Sequence, residues 1–360
     1  MADTQTIQIN RMPSATWSWL KMNSASLSLD YLSPAENLIP AARGTEGVSY
    51  AENGAEEQKK LPVLAGGAGE SAASLFASAV PVSIVAKKGT AAEKPVVLSY
   101  ALSAGQNGLA AQVIRAEENS SLTVIILCSS EKTDGGFNAL KTQIVAEPYA
   151  KVHVIKVQLL GEKFVQIDDT ESRCAENAHI EVTHVVLGGA KTYVGVGNDL
   201  AEYKASFKSR LAYYCRNEQE LDMNYVVLHH GKKTECRMDV GGTLTDSSKK
   251  TYRGTIDFNK GCAGSKGVEQ EETLLLSEKT TNNSIPIILC DEEDVSGEHG
   301  ASIGRLSDEI LFYMKNRGIG KQAAENLIAR AKVQSTASYI NDEEVLSKTE
   351  LFMDSIFGEL

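Results

Sequence analysis

The chain has 360 residues, of which 42% are hydrophobic, 23% charged and 6% aromatic, and its 36 Lys+Arg and 47 Asp+Glu give a net charge of -11. This apolar content excludes a disordered chain, and the negative charge argues against nucleic acid as a partner because phosphates would repel it. No run approaches the roughly 20 apolar residues of a membrane helix, and the N-terminus lacks the apolar segment of a secretory signal. We therefore expect a cytoplasmic protein that binds neither nucleic acid nor membrane.

The first 94 residues predict an N-terminal region of helices and loops. Its polar stretch, Glu46 to Lys60, is expected to include a loop, and the Ala/Ser-rich stretch from Ala72 to Val80 predicts a short helix.

Short β-type runs recur from residue 95 to residue 305 and predict a β core. His179 to Val185 alternates apolar and polar residues, and Gly188-Gly189 ends that run as turn residues do. Helical periodicity is missing throughout, which excludes a βαβ fold with crossover helices and leaves a sandwich, a barrel or a solenoid. The later runs follow one another at intervals of about 12 to 20 residues, and this spacing favours a solenoid.

Residues 306 to 360 predict a C-terminal helical domain. Ser307 is a suitable N-cap for a first helix that Gly318 ends, and a second helix is expected from about Lys321 to Val333. Asn341 followed by Glu344 fits a capping box for a third helix that ends near Phe357.

Six cysteines are spread along the chain with no close pair among them: Cys128, Cys174, Cys215, Cys236, Cys262 and Cys290. Because zinc sites and self-sufficient iron-sulfur clusters need clustered thiolates, this spacing predicts mostly buried, reduced thiols.

Motifs for the commonest hydrolytic chemistry are absent from the sequence. There is no Walker A loop, so we expect no ATP to bind, and there is no HExxH or G-x-S-x-G. Adjacent acids at Asp168-Asp169, Glu271-Glu272 and Asp291 to Asp294 leave a β-solenoid carbohydrate-active enzyme as an alternative, although solvated turns are the commoner explanation. His229-His230 precedes a turn-like Gly-Lys-Lys and predicts an exposed loop.

His299 lies in a short strand of small residues, Val295 to Gly304, just before the helical region. The glycines beside it leave room for a ligand to approach the imidazole. From the residues alone, a single His in a strand is more often a structural residue than a metal ligand.

Several segments of the C-terminal third carry a family resemblance in a characteristic order. They are LLLSE at Leu274 to Glu278, EHGASIGRL at Glu298 to Leu306 and LFYMKNRGI at Leu311 to Ile319, with TYRG at Thr251 to Gly254 and TWSWLKMN at Thr16 to Asn23 before them. In these segments the chain resembles the SufD branch of the SufB/SufD family of iron-sulfur cluster assembly proteins.

This resemblance implies a right-handed parallel β-helix core with N-terminal and C-terminal helical regions. It also implies a non-enzymatic scaffold subunit of the SUF complex, partnered by its paralogue SufB and by the ABC-type ATPase SufC, which engages the C-terminal helices. A transient iron-sulfur cluster, shared with SufB, would form at their interface with His299 as a metal ligand. Glu298 would supply a further oxygen ligand or accept a proton.

Two positions depart from the family patterns. Thr280 stands about where SufB would carry its assembly cysteine, so the resemblance implies the SufD partner, which alone could form a homodimer. Gly297 stands where SufD relatives often have a cysteine. This glycine keeps open a purely structural partner without a metal ligand.

Overall fold

The N-terminal region combines short strands with two single-turn helices. The computed structural model describes residues 6–16, 18–28 and 35–358, so Trp17 of the TWSWLKMN segment lies outside the described residues. The strands are β1 Thr6–Ile9, β2 Ala25–Ser28, β3 Glu36–Asn37, β4 Ala41–Arg43, β5 Val48–Ala51 and β6 Ala65–Gly66, and the helices are α1 Ala55–Gln58 and α2 Glu70–Ala73. Helix α2 continues into a 3₁₀ turn at Ser74–Phe76, which confirms a short helix near the predicted position.

Sixteen longer strands build the core as a β-solenoid of about 8 turns, which confirms the predicted fold class. They are β7 Val82–Ala86, β8 Val96–Ala101, β9 Asn107–Ala116, β10 Ser121–Ser129, β11 Gly135–Ala146, β12 Lys151–Leu160, β13 Lys163–Cys174, β14 His179–Gly188, β15 Lys191–Leu200, β16 Ser206–Cys215, β17 Glu220–His229, β18 Glu235–Leu244, β19 Lys249–Phe258, β20 Ser265–Leu275, β21 Thr281–Cys290 and β22 Val295–Gly304. The parallel ladder thus begins at Val82, ahead of the expected start at residue 95.

Successive strands alternate between two sheets. Even-numbered strands pair in parallel with even-numbered neighbours, and odd-numbered strands pair with odd-numbered ones. One coil therefore holds two strands, and aligned residues such as His153 and Glu181 lie 28 positions apart in the sequence.

The interior of the solenoid is filled by every second side chain of each strand. Val124, Val154 and Val182 occupy one column in register on neighbouring coils, and all three are fully buried. Such stacking removes apolar surface from water on every coil, at about 25 cal/mol per Å². Strands too short to be stable alone are thereby held together.

One corner of the solenoid repeats a left-handed backbone turn. Asn119, Tyr149 and Asn177 lie in the turns after the odd-numbered strands β9, β11 and β13, with φ of 58°, 63° and 53°. The backbone N–H of Asn119 donates to the carbonyl of Pro148 on the next coil, and Tyr149 does the same to Glu176. Asparagine tolerates this conformation better than most residues, so the turn residues help to set the length of each coil.

Three helices end the chain: α3 Asp308–Asn316, α4 Lys321–Ala337 and α5 Glu343–Phe357. The Ser307 side chain accepts from the backbone N–H of Ile310 and Gly318 has φ of 83°, so both predicted boundaries of α3 are confirmed. The predicted Asn341 cap is wrong, because the Asp342 side chain accepts from the N–H of Val345. None of the described helices is both long and apolar enough to cross a membrane.

Helices α4 and α5 pack on the outer face of the even-numbered sheet, where α5 places Phe357 with its ring centroid 4.5 Å from that of Tyr214. Helix α3 differs, since none of its side chains is buried.

Candidate functional site

The solenoid ends at β21 and β22 with one edge of each strand open. In the sheet orders each is the last strand, and among the described residues β21 pairs only with β19 and β22 only with β20. His299 and Glu298 both lie on β22, and both are exposed. The sequence-predicted site residues therefore lie at a surface that a second chain could cover.

Register shows that His299 faces the interior of the solenoid. It pairs with Glu269 of β20, and paired residues of parallel strands point to the same face. Glu269 is buried with 3% exposure, so His299 lies at the mouth of the same interior column. The imidazole is exposed only because no further coil covers it.

Glu298 points to the opposite face of β22. It lines a cleft of about 1140 Å³ between the even-numbered sheet and α4, together with Gln270 and Leu327. Neighbouring residues of a strand project to opposite sides, so β22 does not bring Glu298 and His299 together.

Gly297 shares the inward face of β22 with His299. A Cβ built at this position would lie 3.0 Å from the Phe258 ring and 3.2 Å from two carbons of Ile288. A cysteine at this position would therefore require the Phe258 and Ile288 side chains to shift by a few tenths of an ångström.

Below His299, a buried polar network lines the last coils. Glu271 forms an ion pair with Lys250, accepts from Ser284 and accepts from the Thr273 hydroxyl at 3.1 Å. Burial lowers the pKa of Lys250, and the charge of Glu271 opposes that shift. This pairing compensates for the burial of both charges.

Glu269 has no such cation in contact, since it forms no salt bridge within residues 6–16, 18–28 and 35–358. Burial, and then the charge of Glu271, raise its pKa to about 7. Its carboxylate lies over Gly254, where a Cβ would overlap it. The glycine of the TYRG segment thus makes room for a buried acid.

Sequence reasoning missed Glu269. The alternation in β20, with Ser265, Gly267, Glu269 and Glu271 buried between exposed or half-buried neighbours, was the signal that could have placed it inside. Adjacent acids such as Glu271-Glu272 instead predict solvated turns, because charged residues are rarely buried.

The adjacent carboxylates do not form catalytic pairs in the structure. Asp168 is buried inside the solenoid against Lys156 and His184, whereas Asp169 lies on the other face, accepting from the backbone N–H of Ala68. Strand geometry separates Glu271 from Glu272 in the same way.

The prediction of an exposed loop at His229-His230 is wrong for His229. This residue ends β17, is fully buried and stacks on Phe258 with 4.6 Å between ring centroids. Burial, followed by the charge of His230, lowers its pKa to about 3. Its ring nitrogens contact the Thr234 hydroxyl at 2.7 Å and the Cys236 sulfur at 3.3 Å.

Five of the six cysteines are buried and Cys290 is exposed, which confirms the prediction of mostly buried thiols. Burial raises the pKa of Cys128, Cys174, Cys215 and Cys236 to about 12. In the described part of the chain, no group of three or more His, Cys, Asp or Glu side chains could hold a metal ion.

Comparison with known proteins matches residues 101–332 to a family model described as "SUF system FeS cluster assembly, SufBD core domain". The iron-sulfur cluster assembly protein SufD of Bacillus subtilis is 34% identical over 113 residues, covering 31% of this chain and 26% of that relative. The iron-sulfur cluster assembly SufBD family protein ycf24 of Trieres chinensis is 27% identical over 216 residues, covering 58% and 44%. A SufBD family protein of Staphylococcus saprophyticus is 20% identical over 249 residues, covering 69% and 54%. The chain thus spans about a quarter to about half of the length of these relatives.

Proposed function

The chain belongs to the SufBD family of the SUF system for iron-sulfur cluster assembly, and from this membership we propose that it is a SufD-type scaffold subunit. It works in the cytoplasm without enzymatic activity of its own. SufB completes a transient cluster site with it, and the SufC ATPase supplies the ATP-driven step. The cluster is cargo that leaves for acceptor proteins.

The observation that carries this proposal is the place of His299 at the open mouth of the solenoid. A neutral imidazole is a suitable ligand for iron, and this one is exposed on the inward face of a terminal strand. In the proposed complex, SufB covers the mouth and supplies the remaining ligands. Glu298 faces the α4 cleft, where it serves as a proton acceptor at the rim or as an oxygen ligand for metal that enters from that side.

The open edges of β21 and β22 support a protein partner at the same end. Each edge strand presents a row of backbone N–H and C=O groups, which readily pair with a strand of another chain. A SufB strand added there would bring its own side chains beside His299. In the absence of SufB, a second copy of this chain would use the same edges.

Helix α3 supports the proposed contact with SufC. It leaves Ile310, Phe312 and Tyr313 exposed at 45%, 67% and 58%, without a buried face against the solenoid. Apolar side chains grouped on one short helix are typical of a protein-binding surface.

The test is coexpression of the chain with SufB and SufC, followed by metal and sulfide analysis of the purified complex. His299→Ala should copurify with both partners and lower iron and sulfide at least several-fold. His230→Ala is the matched control, because His230 is half-exposed and pairs with Asp199 on an earlier coil. Unchanged iron in His299→Ala would leave a purely structural partner as the function, and saccharide cleavage by the isolated chain would favour the carbohydrate enzyme.

A further inference from the structure

The residue directly beneath His299 has no role in the function as proposed so far. We infer that Glu269 is a positioning residue of this site: its carboxylate accepts a hydrogen bond from one ring nitrogen of His299 and leaves the other nitrogen facing the mouth. The role of Glu269 in presenting His299 to iron rests on the proposed function, whereas the hydrogen bond between the two side chains depends only on residues of this chain.

The backbone brings the two side chains together. His299 and Glu269 are register partners in adjacent parallel strands, which lie about 4.8 Å apart. Both project into the same interior column, Glu269 one layer below the mouth and His299 at it. The described residues show no hydrogen bond or ion pair between His299 and Glu269, so the hydrogen bond requires the exposed imidazole to rotate inward about its own torsions.

The carboxylate of Glu269 is held in a fixed place. It occupies the space over Gly254, and its residue is 97% buried, with 3% exposure. Pro286 is the register partner of Gly254 on the next coil. The acid therefore stays beneath the imidazole and does not turn outward to water.

Glu271 does not compete for this role. It lies on the same inward face two residues on, but Lys250, Ser284 and Thr273 already occupy its oxygens. Among the described residues Glu269 has no salt-bridge partner, and the Tyr252 hydroxyl is its side-chain hydrogen-bond partner, so the carboxylate keeps capacity to accept from a second donor. The register partner of Glu271 on β22 is Ala301, which has nothing to donate.

The chemistry gives this pairing a purpose. A histidine that binds a metal usually donates its other ring N–H to a carboxylate or carbonyl, which fixes the tautomer and the ring orientation. Glu269 would thus present the free nitrogen of His299 to iron before SufB docks. The exposed imidazole would then lose less conformational entropy when it binds iron.

The experiment measures the tautomer of His299 by ¹⁵N NMR on the isolated, histidine-labelled chain. The spectra are recorded at pH 8. The six histidines give six pairs of ring-nitrogen signals, and His299→Ala identifies the pair of interest. We expect one dominant tautomer of His299 in the wild type. In Glu269→Gln the signals should shift toward the mixture of two tautomers that free imidazole shows.

Two further variants make the result specific. Gly254→Ala places a methyl group where the carboxylate lies, so it should displace Glu269 and change the His299 signal in the same direction without altering any charge. Glu272→Gln is the matched control, because Glu272 lies on the same strand but faces outward and pairs with Lys332. It should leave the signal unchanged.

An unchanged His299 signal in folded Glu269→Gln or in folded Gly254→Ala overturns the inference. Iron content of the SufB–SufC complex separates this result from the fate of the proposed function. If the iron content falls in His299→Ala but the His299 NMR signal is unchanged in Glu269→Gln, only the positioning role of Glu269 is rejected. If the His299 NMR signal changes in Glu269→Gln but the iron content is unchanged in His299→Ala, the metal-binding role of His299 is rejected and its hydrogen bond to Glu269 is retained. If both hold, Glu269→Gln should lower iron about two- to tenfold, less than His299→Ala.

Discussion

Buried charged residues in this solenoid fall into two groups with different pH behaviour. Lys156 with Asp168, and Lys250 with Glu271, are paired with a close opposite charge. Asp169 is almost fully buried and has the backbone N–H of Ala68 as its hydrogen-bond donor at 3.2 Å. Burial and then the charge of Glu171 raise its pKa to about 7.

Because of Asp169, the free energy of unfolding should decrease as the pH rises. Its folded pKa of about 7 lies above the ordinary 3.8, so between these values the folded state binds more protons than the unfolded state. The free energy of unfolding therefore falls with increasing pH across this window, and Asp169→Asn removes that fall. We expect the variant to gain about 2 kcal/mol over the wild type between pH 5 and pH 8, measured by urea denaturation.

The control for this prediction is Asp291→Asn in the exposed turn after β21. It should change the free energy of unfolding by less than about 0.5 kcal/mol at either pH. Equal pH dependence in the wild type and Asp169→Asn would contradict the proposed linkage.

Single helices show how local signals combine with tertiary contacts. Asp342 caps α5 and also accepts from Arg43 of β4 at 2.6 Å, which ties the last helix to the N-terminal region. Asn341 precedes it by one residue and makes no cap. The choice between them depends on the direction in which the chain leaves α4, which a sequence pattern does not contain.

Asp342→Ala should lower the free energy of unfolding by about 1 kcal/mol through loss of the cap. Asn341→Ala is the neighbouring control and should have an effect below about 0.5 kcal/mol. Denaturation measures both, and hydrogen exchange should show faster opening of the first turn of α5 only in Asp342→Ala. A larger effect at Asn341 would restore the original cap assignment.

Helix α3 gives a second prediction at this scale. Phe312→Ser together with Tyr313→Ser should weaken SufC capture in a pull-down at least tenfold, because the apolar surface of α3 is removed without touching a buried residue. Leu351→Ser is the control, since Leu351 is 66% exposed on α5. Undiminished capture by the double variant would place the SufC contact elsewhere.

The molecule as a whole is asymmetric along the solenoid axis. At the first coil, β4 and β5 pair antiparallel with β8 and β7 and so cover the edges of the ladder. The last coil, β21 with β22, has no such cover among the described residues. Natural sheets protect their edges against unwanted pairing, so one protected end and one open end indicate where assembly occurs.

The isolated chain should therefore form a dimer through its open end. Ala301→Lys introduces a charge on the inward face of the edge strand, and we expect it to give a monomer in analytical ultracentrifugation. Ala104→Lys adds the same charge in an exposed turn of the first coil and should remain dimeric. A dimer that persists in Ala301→Lys would exclude this end as the contact.

Much of the fold and part of the site were readable from the sequence because they depend on local patterns. Alternation and turn residues predicted a β core, and the spacing of the later runs favoured a solenoid. Ser307 and Gly318 predicted the ends of α3, and the segment around His299 carried the family resemblance. These signals act within a few residues, where propensity and capping decide the structure. The position of His299 at an open edge, however, could be seen only in the stacked coils.

Tertiary structure alone decided which distant residues meet. Register aligns positions about one coil apart, so it placed Glu269 beneath His299, Gly254 beside Glu269 and His229 against Phe258. Alternation tells which face a side chain takes, but the partner depends on the length of each intervening turn. A shift of one residue would reverse every face, and the packing of the whole stack prevents that shift.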